Sequence, residues 1–143
     1  MHSTSHPPGI TGVIETALYV DELPRAIEFY QLLFRFPILQ QDQRFCALDV
    51  AGRSVLLLFK RGASIEPATL PWGRIPSHDG SGPLHLGFSI PPDSVAAWEE
   101  RLRAAGVVIE SSVRWPRGGR SLYFRDPDNH AVELLTPGVW ATY

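Results

Sequence analysis

The stretch VIETALYV, from Val13 to Val20, is apolar and β-branched apart from one carboxylate, Glu15, and predicts a strand. In the following DELPRAIEFYQLLF, Ala26, Ile27, Tyr30, Leu33 and Phe34 recur at helical spacing. Asp21 or Glu22 can cap this amphipathic helix, and Pro24 sits in its first turn. Two more strands are predicted over Arg44–Val50 and Ser54–Lys60, joined by a turn at Ala51–Gly52. A connection rich in Gly, Pro and Ser runs from Gly62 to Pro83, and a stretch of that kind reads as a linker or a functional lid. The order then returns: a strand over Leu84–Ile90, a helix over Pro92–Ala105 closed by Gly106, and an extended stretch from Val107 to Ser111. Strands over Ser121–Arg125 and Ala131–Thr136 follow, separated by the turn DPDN.

Strand, helix and further strands thus occur twice, offset by roughly 70 residues: Glu15 corresponds to His85 and Ala26 to Ala96. A unit this small cannot bury its own sheet face, so two copies are expected to pair those faces and leave a cleft between them. The predicted organisation is a polar tail over residues 1–9 and one α+β domain over 10–140. That domain comprises a module at 13–61, the connecting loop 62–83 and a second module at 84–137.

Composition narrows the function. With 143 residues, 44% hydrophobic and 20% charged, the chain suits one globular domain. A net charge of −2 offers no footprint for nucleic acid and no polybasic membrane patch. No stretch approaches the ~20 apolar residues of a membrane span. A single cysteine, Cys46 in the apolar run RFCALDV, excludes an intrachain disulfide and reads as a small core residue. A cytoplasmic protein handling a small molecule is the expectation.

Three polar residues interrupt strand faces that should be apolar. Glu15 alternates onto the face of Ala17 and Tyr19, His85 onto that of Gly87 and Ser89, and Glu133 onto that of Ala131 and Leu135. Two carboxylates converging on one imidazole repel unless a cation lies between them, and a divalent ion removes that repulsion. Glu15, His85 and Glu133 are therefore the candidate metal ligands. The set does not select among Mn, Fe, Zn, Ni and Co.

These residues carry a family likeness. Over ETALYVDELPRAIEFY, GPLHLGFSI and RSLYFRDPDNHAVELLTPG, the chain resembles the vicinal oxygen chelate superfamily, which includes glyoxalase I, fosfomycin-resistance thiol transferases, bleomycin-resistance proteins and extradiol dioxygenases. The resemblance implies two fused βαβββ modules whose sheets pair to form a metal-binding cleft, with ligands at Glu15, His85 and Glu133. It also implies a homodimer. The fourth ligand of glyoxalase I is expected at Leu56, which cannot coordinate. Glu15 replaces a histidine of the dioxygenase triad, and the intact trio counts against a pure sequestering protein. What the resemblance implies is a metal-dependent isomerase, lyase or thiol transferase acting on a small oxygen-chelating substrate, with Glu15 or Glu133 as the catalytic base. The alternatives are a non-catalytic binder that sequesters an antibiotic or metabolite, and an Fe(II) extradiol dioxygenase.

Three more residues are expected near substrate. Tyr123 matches a substrate-contacting tyrosine of the fosfomycin-resistance enzymes. Arg120 is the best placed of the arginines in RWPRGGR, where mobile glycines would let the loop close. His78, in PSHDGSG ahead of the His85 strand, could cap the cleft or donate a proton. Asp126 and Asp128 read as turn residues, His130 has no supporting context, and Trp115 lies in a loop.

Overall fold

In the computed structural model, residues 5–143 are described; the first four residues of the expected tail lie outside them. The first module runs β1 (Glu15–Val20), α1 (Leu23–Phe34), β2 (Ile38–Gln41), β3 (Phe45–Val50) and β4 (Ser54–Lys60), with sheet order β1-β4-β3-β2. A hairpin of β5 (Ala68–Leu70) and β6 (Gly73–Ile75) lies in the connection. The second module repeats the order with β7 (His85–Ser89), α2 (Val95–Ala104), β8 (Ser111–Arg114), β9 (Arg120–Arg125) and β10 (Ala131–Leu135), as sheet β7-β10-β9-β8. The chain is therefore two βαβββ units, each with its first strand parallel to its last and antiparallel pairing elsewhere.

Alternation along the strands decides which residues go inside. Leu18 and Val20 of β1, Leu56 and Leu58 of β4, Leu122 and Phe124 of β9, and Val132 and Leu134 of β10 are all buried. They join Ala26, Tyr30 and Leu33 of α1 and Leu102 of α2 in one hydrophobic cluster spanning both modules. Each buried leucine contributes about 1.5–3 kcal/mol relative to its exposed state. Rings of α1 reach across the module boundary: Phe34 lies 5.0 Å from Phe88 and Phe29 lies 6.4 Å from Phe124, centroid to centroid. The residues of opposite parity, Glu15, Ala17 and Tyr19 in one module and His85, Tyr123 and Glu133 in the other, turn away from this core.

Polar contacts lock the modules together. Tyr30 Oη donates to Asp126 Oδ2 at 2.7 Å, a buried bond from α1 to the β9–β10 turn. His130 is fully buried; its Nδ1 accepts the Leu84 amide at 2.8 Å and its Nε2 donates to the Tyr19 carbonyl at 2.8 Å. Arg101 of α2 donates to the carbonyls of Leu32 and Leu33, completing two acceptors that the end of α1 leaves without helical partners. His130 and the DPDN aspartates are thus fixtures of the fold, with nothing in the linear sequence to show which backbone groups they complete.

The observed elements differ from expectation in four respects, the first being that β8 (Ser111–Arg114) begins where the extended stretch expected from Val107 to Ser111 ends. β2 escapes the pattern because only Ile38 of its four residues is even partly buried. The β5–β6 hairpin sits within the predicted loop. Asp21 and Glu22 provide no side-chain cap: Glu22 occupies the N-cap without such a bond, and Asp21 pairs with Arg61.

Candidate functional site

Glu133 occupies the middle of β10, 7% exposed, and every polar group around it comes from a neighbouring strand or loop. Ser121 and Tyr123 lie on β9 with the same outward parity, and Tyr123 is directly paired with Glu133. Ser121 Oγ donates to Glu133 Oε2 at 2.5 Å, and Tyr123 Oη donates to the same oxygen at 3.0 Å. The Ser121 hydroxyl in turn accepts the indole N–H of Trp115 at 2.8 Å. Burial and the Glu133 carboxylate together raise the Tyr123 pKa above the ordinary tyrosine value, so the phenol keeps its proton and serves as a donor.

The other carboxylate oxygen faces His85. That ring's Nδ1 donates to the Ala131 carbonyl at 2.9 Å, and its Nε2 lies 3.3 Å from Glu133 Oε1. With Nδ1 carrying the proton, a neutral imidazole turns the Nε2 lone pair toward a carboxylate oxygen. Two electron-rich atoms at that separation are compatible only if Nε2 is protonated or a cation is shared between them. A carbonyl holding the second nitrogen of a histidine is also the arrangement that orients an imidazole for a metal. His85 Nε2 and Glu133 Oε1 therefore fit as two ligands of one divalent ion.

Glu15 does not join them within the chain. Glu15 is absent from the cleft that His85 lines, and strand alternation turns it away from the shared core to which Leu18 and Val20 of the same strand belong. Among the described residues, no three histidine, cysteine, aspartate or glutamate side chains gather closely enough to hold a metal. Glu15 instead lines a separate cavity on the first module, with Tyr19, Phe45, Phe59 and His78.

Strand pairing also relocates the missing fourth ligand. Glu15 pairs with Val55, and its counterpart His85 pairs with Ala131. Leu57, two residues on from Val55, therefore stands where Glu133 stands in the second module, whereas Leu56 is a core residue. The expected position was one residue off; the replacement is still leucine.

The remaining expected site residues separate. Arg120 shares the parity of Leu122 and Phe124, not that of Tyr123, and its Nε is buried without a partner among the described residues. It is thus turned away from the Glu133 face, for a reason that alternation along RSLYFR already contained. Nor are the RWPRGGR glycines a free hinge. Gly119 lies directly against the Gly138 backbone, where a Cβ on Gly138 would come within 2.6 Å of the Gly119 nitrogen. That clamp holds the loop from which Trp115 reaches Ser121. Trp115 was legible only as a loop aromatic, whereas Ser121 carried a signal in its shared parity with Tyr123.

Paired βαβββ modules with a histidine and a glutamate on adjacent parallel strands define a glyoxalase-fold protein. The family model of the Glyoxalase/Bleomycin resistance protein/Dioxygenase superfamily matches residues 12–134, and the chain belongs to that superfamily. It is similar in structure to a lactoylglutathione lyase from Agrobacterium tumefaciens, with 33% identity and a TM-score of 0.83 over 94% of this chain and 99% of that one. The fosfomycin resistance protein FosX of Listeria monocytogenes is 26% identical, with a TM-score of 0.65 over 90% and 94% of the two chains. In sequence, the metallothiol transferase FosB of Bacillus licheniformis is 30% identical over 92% of this chain and 79% of the relative.

Proposed function

We propose that the protein is a metal-dependent enzyme acting on a small oxygen-chelating substrate, by isomerase, lyase or thiol-transfer chemistry. The observation that carries this reading is the His85–Glu133 pair, with Nδ1 committed to Ala131 and Nε2 turned to Oε1 at 3.3 Å. The third ligand is Glu15 from a second copy of the chain, because Glu15 faces away from the pair within its own chain. Exposed apolar side chains leading into β1, Ile10 at 92%, Val13 at 84% and Ile14 at 61%, support a homodimer that covers them. The ion is one of Mn, Fe, Zn, Ni or Co, and when bound it supplies Lewis-acid stabilisation of charge developing on a substrate oxygen. Tyr123 contacts the substrate, its phenol exchanging the Glu133 Oε2 acceptor for a substrate oxygen, and the carboxylate of Glu15 or Glu133 takes the substrate proton. The names of the FosB and lactoylglutathione lyase relatives support thiol-transfer and lyase chemistry respectively. The expected location is cytoplasmic, and no helix of the described residues is long and apolar enough to cross a membrane.

Metal content by mass spectrometry tests this, on protein purified without chelator beside the Glu15→Gln/Glu133→Gln double variant. Near-stoichiometric metal in the wild type, lost in the variant, is the expected result. Failure to take up any divalent ion on titration would overturn it. A second reading, a sequestering binder, draws on the apolar cavity beside Glu15; it predicts tight ligand binding that survives chelation.

A further inference from the structure

The outward face of the first module carries a feature that the ligand set does not require. Tyr19, Phe59 and Phe45, on adjacent strands β1, β4 and β3, form a ladder of nearly parallel rings. Tyr19 and Phe59 are 5.8 Å apart at 24°, and Phe45 and Phe59 are 5.9 Å apart at 28°. The connection folds back over this wall and places Ala68, Ile75 and Pro76 opposite it, enclosing a cavity of roughly 420 Å³. That size falls within the range of small-ligand sites. Arg44 is the one lysine or arginine in its lining, and its guanidinium pairs with Asp42. A slot walled by rings and aliphatic side chains, with so little positive charge, suits a flat, uncharged body and not a polyanionic one.

Glu15, Ser64, Glu66, Arg44 and His78 supply the polar part of the lining, and of these His78 packs against the ring ladder. His78 packs edge-on against Phe59 at 4.5 Å, and Tyr19 Oη lies 2.8 Å from its Nδ1. The backbone on either side is fixed: the His78 amide donates to the Ser64 carbonyl, and Gly80 lies so close to the Tyr19 ring that a Cβ would collide with it. Burial and the Asp79 charge raise the Tyr19 pKa, so the phenol remains a proton donor. When Tyr19 donates to Nδ1, the neutral ring carries its proton on Nε2.

We propose that the cavity beneath the 62–83 connection binds an aromatic ring bearing an acceptor oxygen, with His78 Nε2–H donating to that oxygen and Tyr19 positioning His78. Because Glu15 lines the same cavity, the substrate class is a chelating group attached to a flat aromatic body; this last step alone rests on the metal reading above. His78 is then a specificity-determining residue, and Tyr19 acts through it.

The test uses chelator-treated full-length protein and two probes, acetophenone and ethylbenzene, which share a ring and differ in the carbonyl. Calorimetric titration is expected to show both binding, with acetophenone favoured about five- to tenfold, the worth of one neutral hydrogen bond. His78→Ala should abolish that preference while ethylbenzene still binds. Tyr19→Phe keeps the ring wall and should reduce the preference, and it remains informative should His78→Ala disturb the connection. Ring ¹⁵N shifts of His78 are expected to report the Nε2–H form in the wild type and a tautomer mixture in Tyr19→Phe. Equal affinity for the two probes in the wild type, or an undiminished preference in His78→Ala, would overturn the proposal. Metal content is read on the wild-type protein before chelation and the probe preference after it, so failure of the metal reading and failure of the ring site are separable.

Discussion

The indole N–H of Trp115 donates to Ser121 Oγ at 2.8 Å, and the same hydroxyl donates onward to Glu133 Oε2. With Tyr123 also bonded to Oε2, one oxygen of the carboxylate is fully engaged and the other is left to face His85. Partners that orient a ligand in this way typically affect metal affinity by about 10- to 100-fold. Ser121→Ala and Trp115→Phe should each weaken divalent-metal binding by that order, read as a dissociation constant in competition with a fluorescent chelator. Metal affinity equal to wild type in both variants would show that Glu133 needs no such support.

Tyr30 predicts an alkaline limit to stability. Burial first, then the charge and hydrogen bond of Asp126, hold its pKa well above the ordinary tyrosine value. The raised value means that the bond's contribution is fully present below about pH 10, where unfolded tyrosine titrates. It is lost as pH climbs from there through the folded value. Tyr30→Phe leaves Asp126 Oδ2 without its donor and should cost about 1.5–3 kcal/mol at neutral pH. Urea midpoints from pH 7 to 11 should converge for the two proteins as pH rises; parallel curves would contradict the assignment.

His130 joins the end of β1 to the start of β7 through its two ring nitrogens. Replacing it with alanine leaves the Leu84 amide and the Tyr19 carbonyl unpaired and opens a void in a fully buried position. A loss of about 2–4 kcal/mol is expected. Hydrogen exchange should show it most sharply at the Leu84 amide, and unchanged protection there would mean that the joint is dispensable.

If Glu15 serves a site on the partner copy, the ligand set can be rebuilt from two defective chains. Glu15→Gln protein and His85→Ala/Glu133→Gln protein should each bind no metal as homodimers. Mixed dimers should regain one ion per two chains, since one of the two sites then has Glu15 from one copy and His85 with Glu133 from the other. A site confined to one chain would regain none, and mass spectrometry of the mixed dimers distinguishes the two.

Alternation along the strands made much of this legible. Leu18 and Val20 against Glu15, and Leu122 and Phe124 against Tyr123, show their faces in sequence because period two sorts side chains strictly. The same rule places Arg120 off the site, and it separates Leu57, which shares the parity of Glu15's partner Val55, from Leu56 in the core. Other features had no linear trace. Which backbone groups His130 completes depends on two segments meeting in space, and the Trp115 contact depends on the Gly119–Gly138 clamp. That Glu15 lies apart from His85 and Glu133 also has no linear trace, because the arrangement of one sheet relative to the other is not written in either repeat.

Leu57 breaks the equivalence of the two halves. Had both modules kept a carboxylate at this position, a composite site would look nearly the same from its two ends. With leucine beside the aromatic ladder on one side and Glu133 with Tyr123 on the other, the two ends differ in polarity. In a site assembled from both modules, a molecule with one greasy and one oxygenated end would then have a preferred direction of entry, and the chemistry would be regioselective before any bond is made.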